Sequence, residues 1–356
     1  MAYSSILKPS TFMNTVLYTG NGGSSNSVTG VGFKPDWVWI KNRTQSAEST
    51  SSHALTDIVR GVTKTLRTNS DTLQTTDANG LTAFGTDGFT VSDKQIVNGN
   101  NDALVAWNWK AGTSVSGNTS GSGTAKAYSG SVNTTSGFSI ITYVGNLTAG
   151  HTIPHHLGAA PSMVICKSIV ENRGWPIQHA SLTSAAYSIF LSTTGTESNG
   201  SNSWNSTAAS SSVVTLGNNE SNNKNDNSYI MYSFAQKQGY SKFGKYTANA
   251  IVDGNFIFTG FKPAFILIKS SNQPQDGQSW FIYDSSRDPG NTATQTIQAN
   301  VNTGEQTNVA PIDILSNGFK LRTNTGRING TNGEYIYMAF AEEPFVASNF
   351  NAATAR

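Results

Sequence analysis

His151, His155 and His156 fall within six positions, so they are the first place to look for metal chemistry. A metal site needs two or three imidazoles converging on one point, ideally with a carboxylate. No Asp or Glu lies close by in sequence, and an extended chain turns His155 and His156 to opposite faces. The favoured reading is a solvated loop, and no metal ligand is assigned. Asp57 and Arg60 form a second constellation, which recurs as Asp284 and Arg287 with the same spacing, whereas His179 and Leu182 hold the matching positions between them. An Asp-x-x-Arg pair suits a ligand's hydroxyls or carboxylate, but more often pins a turn by a charge-assisted hydrogen bond. Its recurrence in one frame favours the turn. The run Asn218 to Asn227 has the oxygen density of a calcium loop, yet Lys224 interrupts it and the required glycine is missing, which points to a polar hairpin tip.

Aromatic rings are the remaining candidates. Trp37 with Trp39, and Trp107 with Trp109, are i, i+2 pairs that share a strand face. They read as core, because apolar residues hold the matching positions elsewhere in the chain. Trp175, Trp204 and Trp280 stand near polar loops and are the expected ligand-binding residues if the protein holds a sugar. Trp204, in a stretch of Ser, Thr, Asn, Gly and Ala, is the first choice. No nucleophile elbow, phosphate loop or zinc-protease helix is present, so no catalytic or cofactor-binding residue is assigned.

The elements that must position these residues are repeated. Phe33-Lys34-Pro35-Asp36-Trp37-Val38-Trp39-Ile40-Lys41, Pro161-Ser162-Met163-Val164-Ile165-Cys166-Lys167 and Pro263-Ala264-Phe265-Ile266-Leu267-Ile268-Lys269 share one pattern: proline, one small or polar residue, four apolar residues, lysine. Phrases around Tyr18, Tyr143 and Tyr246 precede them. The runs Leu104–Trp109, Tyr229–Phe234 and Tyr335–Phe340 follow. A unit this long is a whole module and not a solenoid blade. The modules are expected at 15–110, 137–236 and 243–342, referred to below as the first, second and third repeats. Residues 1–14 and 343–356 read as tails, 237–242 as a short join, and the Gly/Ser/Thr-rich 111–136 as a linker or long surface loop.

Within each repeat the signal is β. Apolar residues on both faces of a four-residue run indicate a doubly covered strand, and Asn-Gly and Asp-Gly turns are frequent. The expected fold is all-β: three tandem antiparallel β-sandwich modules of jelly-roll or lectin-like type, with little helix apart from His53 to Leu66. Only 12% of the 356 residues are charged and the net charge is +2, which argues against a phosphate-binding surface and nucleic acid. Cys166 is the single cysteine, lies in an apolar run and reads as buried. No signal peptide or membrane-spanning run is read, so synthesis in a cytoplasm without membrane insertion is expected.

The phrases Asn14 to Gly22, Val31 to Arg43 and Val105 to Gly112 resemble a family of uncharacterised modules in tailed, largely marine, bacteriophages. The resemblance covers the first repeat most closely and the second least. It implies a virion structural protein, with a tail-fibre or lectin-like role in some members, and brings no catalytic residue, metal or cofactor. The function expected first is a capsid decoration or cement protein whose repeats act as a pseudo-trimer against the major capsid protein. The alternative is a tail-fibre protein that recognises host surface polysaccharide.

Overall fold

The three proline-to-lysine phrases fold as strands because each has apolar side chains to bury on both faces. In a computed structural model describing residues 4–273 and 278–344, Trp37–Asn42, Met163–Ser168 and Phe261–Ser270 are interior strands of antiparallel sheets. Alternation sends their side chains into different cores. Trp37 and Trp39, Met163 and Ile165, and Phe265 and Leu267 all enter one apolar cluster shared by the three repeats. The intervening Val38 and Ile40, Val164 and Cys166, and Ile266 and Ile268 enter three separate clusters, one within each repeat.

The same strand order accompanies each phrase. Met13–Thr19, Ala103–Trp109, Trp37–Asn42 and Ala54–Asp57 lie side by side in that order in the first repeat. Phe138–Val144, Ser228–Phe234, Met163–Ser168 and Pro176–His179 do so in the second, and Ser241–Thr247, Glu334–Pro344, Phe261–Ser270 and Phe281–Asp284 in the third. Register is kept as well: Trp37 pairs with Trp109, Met163 with Phe234 and Phe265 with Phe340. A short second strand group caps the inner cluster of each repeat, with Asn26–Thr29, His151–Pro154 and Phe256–Phe258 in corresponding places.

Several expectations are corrected. His53 to Leu66 is not a helix. His53 is buried ahead of the strand Ala54–Asp57, and the only helix nearby is the single turn Glu48–Ser51. The Gly/Ser/Thr-rich 111–136 carries strands Thr113–Asn118 and Ala127–Asn133, which pair with each other, and the latter pairs with Phe138–Val144, so that both widen the second repeat's sheet. Small hydroxyl residues read as linker because their strand faces are mostly exposed, leaving no apolar alternation to see. Of the expected tails, Ser4 and Ile6 are buried, Phe12 packs edge-on against Tyr240, and Met13 and Asn14 already belong to a strand. Residues 345–356 and 1–3 lie outside the described residues. No helix among the described residues is long and apolar enough to cross a membrane.

Candidate functional site

The Asp-x-x-Arg pairs do pin turns, and they do something further. Asp57 accepts the backbone N–H of Val59 (3.1 Å) and Arg60 (2.9 Å) through Oδ1, and Arg60 Nε at 2.5 Å through Oδ2. Asp284 repeats this with the Arg287 backbone N–H (2.8 Å) and Nε (2.5 Å). Each carboxylate then takes a donor from a neighbouring repeat. Tyr232 OH, from the second repeat, donates to Asp57 Oδ2 at 2.7 Å. Trp107 Nε1, from the first, donates to Asp284 Oδ2 at 2.9 Å. These donors occupy matching places on their closing strands, opposite Ile165 and Trp39.

The second repeat has no acid here because its partner has no donor. The place matching Trp107 and Tyr232 in the third repeat is Met338, opposite Leu267. His179 stands where the acid would be. Its Nδ1 accepts the turn N–H of Ser181 (3.1 Å), and its Nε2 lies 3.2 Å from the backbone oxygen of Tyr337 in the third repeat. One neutral tautomer, with the proton on Nε2, satisfies both contacts, and burial holds the ring neutral by lowering its pKa to about 4. Leu182, buried in the shared cluster, replaces the arginine that no longer has a carboxylate to meet.

The lysines that end the three strands complete the pattern. Lys41, Lys167 and Lys269 are each fully buried. Lys41 Nζ donates to Asn42 O (2.7 Å), to Ser51 Oγ (2.5 Å) and to Asn302 O of the third repeat (3.4 Å). Lys167 Nζ donates to Arg173 O (2.6 Å) and to Asp71 O of the first repeat (2.9 Å). Lys269 Nζ donates to Ser270 O (2.8 Å) and to Thr194 O of the second repeat (3.1 Å). Burial lowers their pKa values to about 7, about 8 and about 7 in that order.

A ring nitrogen crosses each seam in the same sense. Trp175 Nε1 donates to Ser70 O and Trp280 Nε1 to Phe190 O, both at 3.0 Å. The first repeat has His53 at that place, with Nε2 3.0 Å from Gln298 O and Nδ1 accepting Trp39 Nε1 at 2.9 Å. Lysine and ring contacts, with an acid at two seams and His179 at the other, therefore join first to second, second to third and third to first: a closed cycle. Glu305 adds to the third-to-first seam alone by bridging Arg287 (2.9 Å) and Arg43 (2.7 Å).

The other sequence candidates lie elsewhere. Trp175, Trp204 and Trp280 were expected as exposed rings for a ligand, but they are buried to 0%, 0% and 1% exposure, so no ring face is open to a sugar. Two are the seam donors above. Trp204 fills the second repeat's inner cluster with Val214 and Leu216, whose polar neighbours hid it in sequence. His151 and His155 are buried, not solvated. His151 bonds Asn223 Oδ1 (3.0 Å) and Thr119 Oγ1 (2.7 Å), and His155 bonds Ser210 O at 3.1 Å. His156 is exposed beside Tyr128 OH at 2.9 Å, and among the described residues no three His, Cys, Asp or Glu converge as a metal site. Cys166 is buried, and burial pushes its thiol pKa up to about 12.

The asparagine run is not a hairpin tip. It forms the turn Glu220–Asn223, capped by Asn219, with Asn223 buried. Asn223 Oδ1 accepts Asn146 N–H at 3.0 Å, just as Asn98 accepts that of Asn21 (2.9 Å) and Asn329 that of Asn249 (3.0 Å). Sequence reasoning missed this threefold device, although each asparagine directly follows the residue whose carbonyl accepts Tyr143, Tyr18 or Tyr246 OH. Two grooves border the seams at matching positions. One, about 510 Å³, runs between Lys34 with Val59 and the serines of 114–131. The other, about 390 Å³, runs between Lys262 with Ser286 and Asn14 with Thr15.

What this arrangement does chemically is anchor: its charged groups spend their hydrogen bonds on one another and on neighbouring backbone. The chain belongs to the family described as domain of unknown function DUF7483, whose model matches residues 8–344, so one family unit spans all three repeats. No curated protein matches the chain.

Proposed function

We propose that the protein is a bacteriophage virion structural component, a pseudo-trimer of three antiparallel β-sandwich modules that decorates and cements a capsid shell. The observation that carries the reading is the closed cycle of seams, in which matching residues of each repeat grip the next. Three similar modules closed into a ring suit a threefold or quasi-threefold site among capsomers. Contacts too weak to hold singly then add through avidity. The low charge content suits packing against protein, and the phage setting rests on the resemblance of the phrases around Trp37 and Trp107. The partner is the major capsid protein. The tail-fibre alternative loses support because the three tryptophans meant to hold a sugar are interior.

Localisation on purified phage particles by gold-labelled antibody tests this directly. Label spread over the head at a copy number tied to the lattice is the expected result. Label confined to the tail would sink the decoration reading and restore the host-glycan one.

A further inference from the structure

The three repeats match closely at their seams, but their outer edges differ. The central residue of the outer strand is buried in every repeat: Val28, Ile153 and Ile257. Its two neighbours face outward. They are Ser27 and Thr29 in the first repeat, Thr152 and Pro154 in the second, and Phe256 and Phe258 in the third. Phe256 is 44% exposed and Phe258 55%. The preceding loop changes in the same way. Two residues beyond the anchored Asn21, Asn146 and Asn249 stand Gly23, Thr148 and Ile251, each bonding back to its asparagine's Oδ1. Ile251 and the adjacent Val252 are 54% and 61% exposed. Four large exposed apolar side chains thus fall within the eight positions 251–258 of the third repeat, where the matching places of the first repeat hold only glycine and hydroxyl residues. Soluble chains seldom leave such a patch bare without a use for it.

The backbone there is open too. Phe256–Phe258 is the last strand of its sheet. Leu321 N–H donates to Asn255 O, and Thr259 N–H to Asn317 O, both at 3.0 Å on the sheet side. Bonding direction alternates along an antiparallel strand, so Phe256 and Phe258 turn their own N–H and C=O groups outward. Proteins usually blunt such an edge with proline, charge or a covering segment. The second repeat does so twice, with Pro154 in the strand and with Ser120–Gly121 of this chain laid along its edge. The third repeat's stretch Asn255–Thr259 carries no charge and no proline.

We infer that this edge pairs with its own counterpart in a second copy of the chain, antiparallel about Ile257. That register sets Phe256 opposite Phe258 of the partner subunit, so each contact is aromatic on aromatic, and no like charges meet. Such cross-strand pairs are the ones that stabilise sheets. The inference stands apart from the capsid reading, since it concerns two free molecules in solution.

The test is sedimentation of the full chain over about a hundredfold range of concentration, beside Phe256→Ser/Phe258→Thr, which installs the first repeat's residues, and Phe258→Pro, which copies the second repeat and removes an outward N–H. The expected result is a wild-type dimer whose dissociation constant rises at least about thirtyfold in both variants, through loss of buried ring area or of an edge hydrogen bond. Amide exchange at 256 and 258 should also slow as wild-type concentration rises. Either variant alone suffices if the other fails to fold. A wild-type monomer at every concentration would overturn the inference and leave the patch to a different partner. So would a dimer that persists in the variants with those amides unprotected.

Discussion

The seam between the third and first repeats and the seam between the second and third do the same mechanical job with different chemistry. At the former, Asp284 pins its turn, neutralises Arg287 and takes the Trp107 N–H. At the latter, His179 pins its turn through Nδ1 and reaches the Tyr337 carbonyl through Nε2. The difference follows from one partner side chain. Tryptophan and tyrosine offer a proton and methionine does not, and a buried carboxylate without a donor is costly. The second repeat's departure at this position is therefore matched to its partner side chain across the seam.

The sharpest way to break the comparison is to remove the central residue of each seam. Asp284→Ala removes one of the two carboxylates that pair with the buried Arg287, leaving Glu305, and orphans an indole N–H. Loss of one member of a buried ion pair predicts a fall of about 3–5 kcal/mol. His179→Ala leaves no charge behind and should cost only about 1–3 kcal/mol, the penalty of an unmade buried hydrogen bond. Denaturant unfolding of both variants measures the gap. Equal losses would mean that the arginine is not what makes the first seam expensive to open.

Acid separates the seams next. His179 has a folded pKa of about 4, below that of a free imidazole, because burial disfavours its charged form. The unfolded chain then binds more protons than the folded one between about pH 6.5 and 4, so stability is full above that window and falls as pH drops through it. The loss is on the order of 3 kcal/mol by pH 4. His53 is pushed the same way, by burial and then by the neighbouring Lys41 charge. Its protonation would set an Nδ1–H against the Trp39 N–H donor. The first-to-second seam uses Asp57 and Trp175 and has no such histidine. Hydrogen exchange at pH 5 should therefore open Pro176–His179 and Ala54–Asp57 relative to neutral pH, and His179→Gln should remove the first effect only.

The chemistry can also be exchanged. His179→Asp alone buries a carboxylate that keeps a turn N–H but has neither an arginine nor a donor from the third repeat, and should destabilise. Adding Leu182→Arg and Met338→Trp rebuilds the arrangement of the other seams. A favourable coupling of about 1–3 kcal/mol in the mutant cycle is expected. Additive losses would show that the slots are not equivalent.

Much of the framework was legible in the sequence: the all-β class, the three phrases with their lysines, and the Asp-x-x-Arg turn pins all rest on local pattern. What was not legible depends on contacts between repeats. Met338 and His179 are 159 positions apart, and nothing in either phrase says that they share a seam. Trp204 looked exposed because the residues beside it in sequence are polar, whereas those beside it in space are Val214 and Leu216. The strands of 111–136 were missed because an edge hairpin of serine and threonine buries little and so shows no alternation.

The last comparison concerns what the seams share. Lys41, Lys167 and Lys269 lie on three different seams yet have similar surroundings: a buried ammonium facing backbone oxygens. Their folded pKa values of about 7 to about 8 lie below the ordinary lysine range because burial disfavours the charge. The unfolded chain therefore holds more protons from about pH 7 to about 10, and stability rises with pH across that window, by at most about 1.4 kcal/mol per pH unit for each lysine. The carbonyl oxygens around each Nζ favour the ammonium and reduce that slope. Lys41→Met should flatten the rise by about a third, and Lys269→Met by the same amount, since the two sites are alike in charge and burial. Urea unfolding from pH 6.5 to 10 reads the slope. Unequal flattening would mean that His53, which adjoins Lys41 and has no counterpart beside Lys269, sets the charge at its own seam.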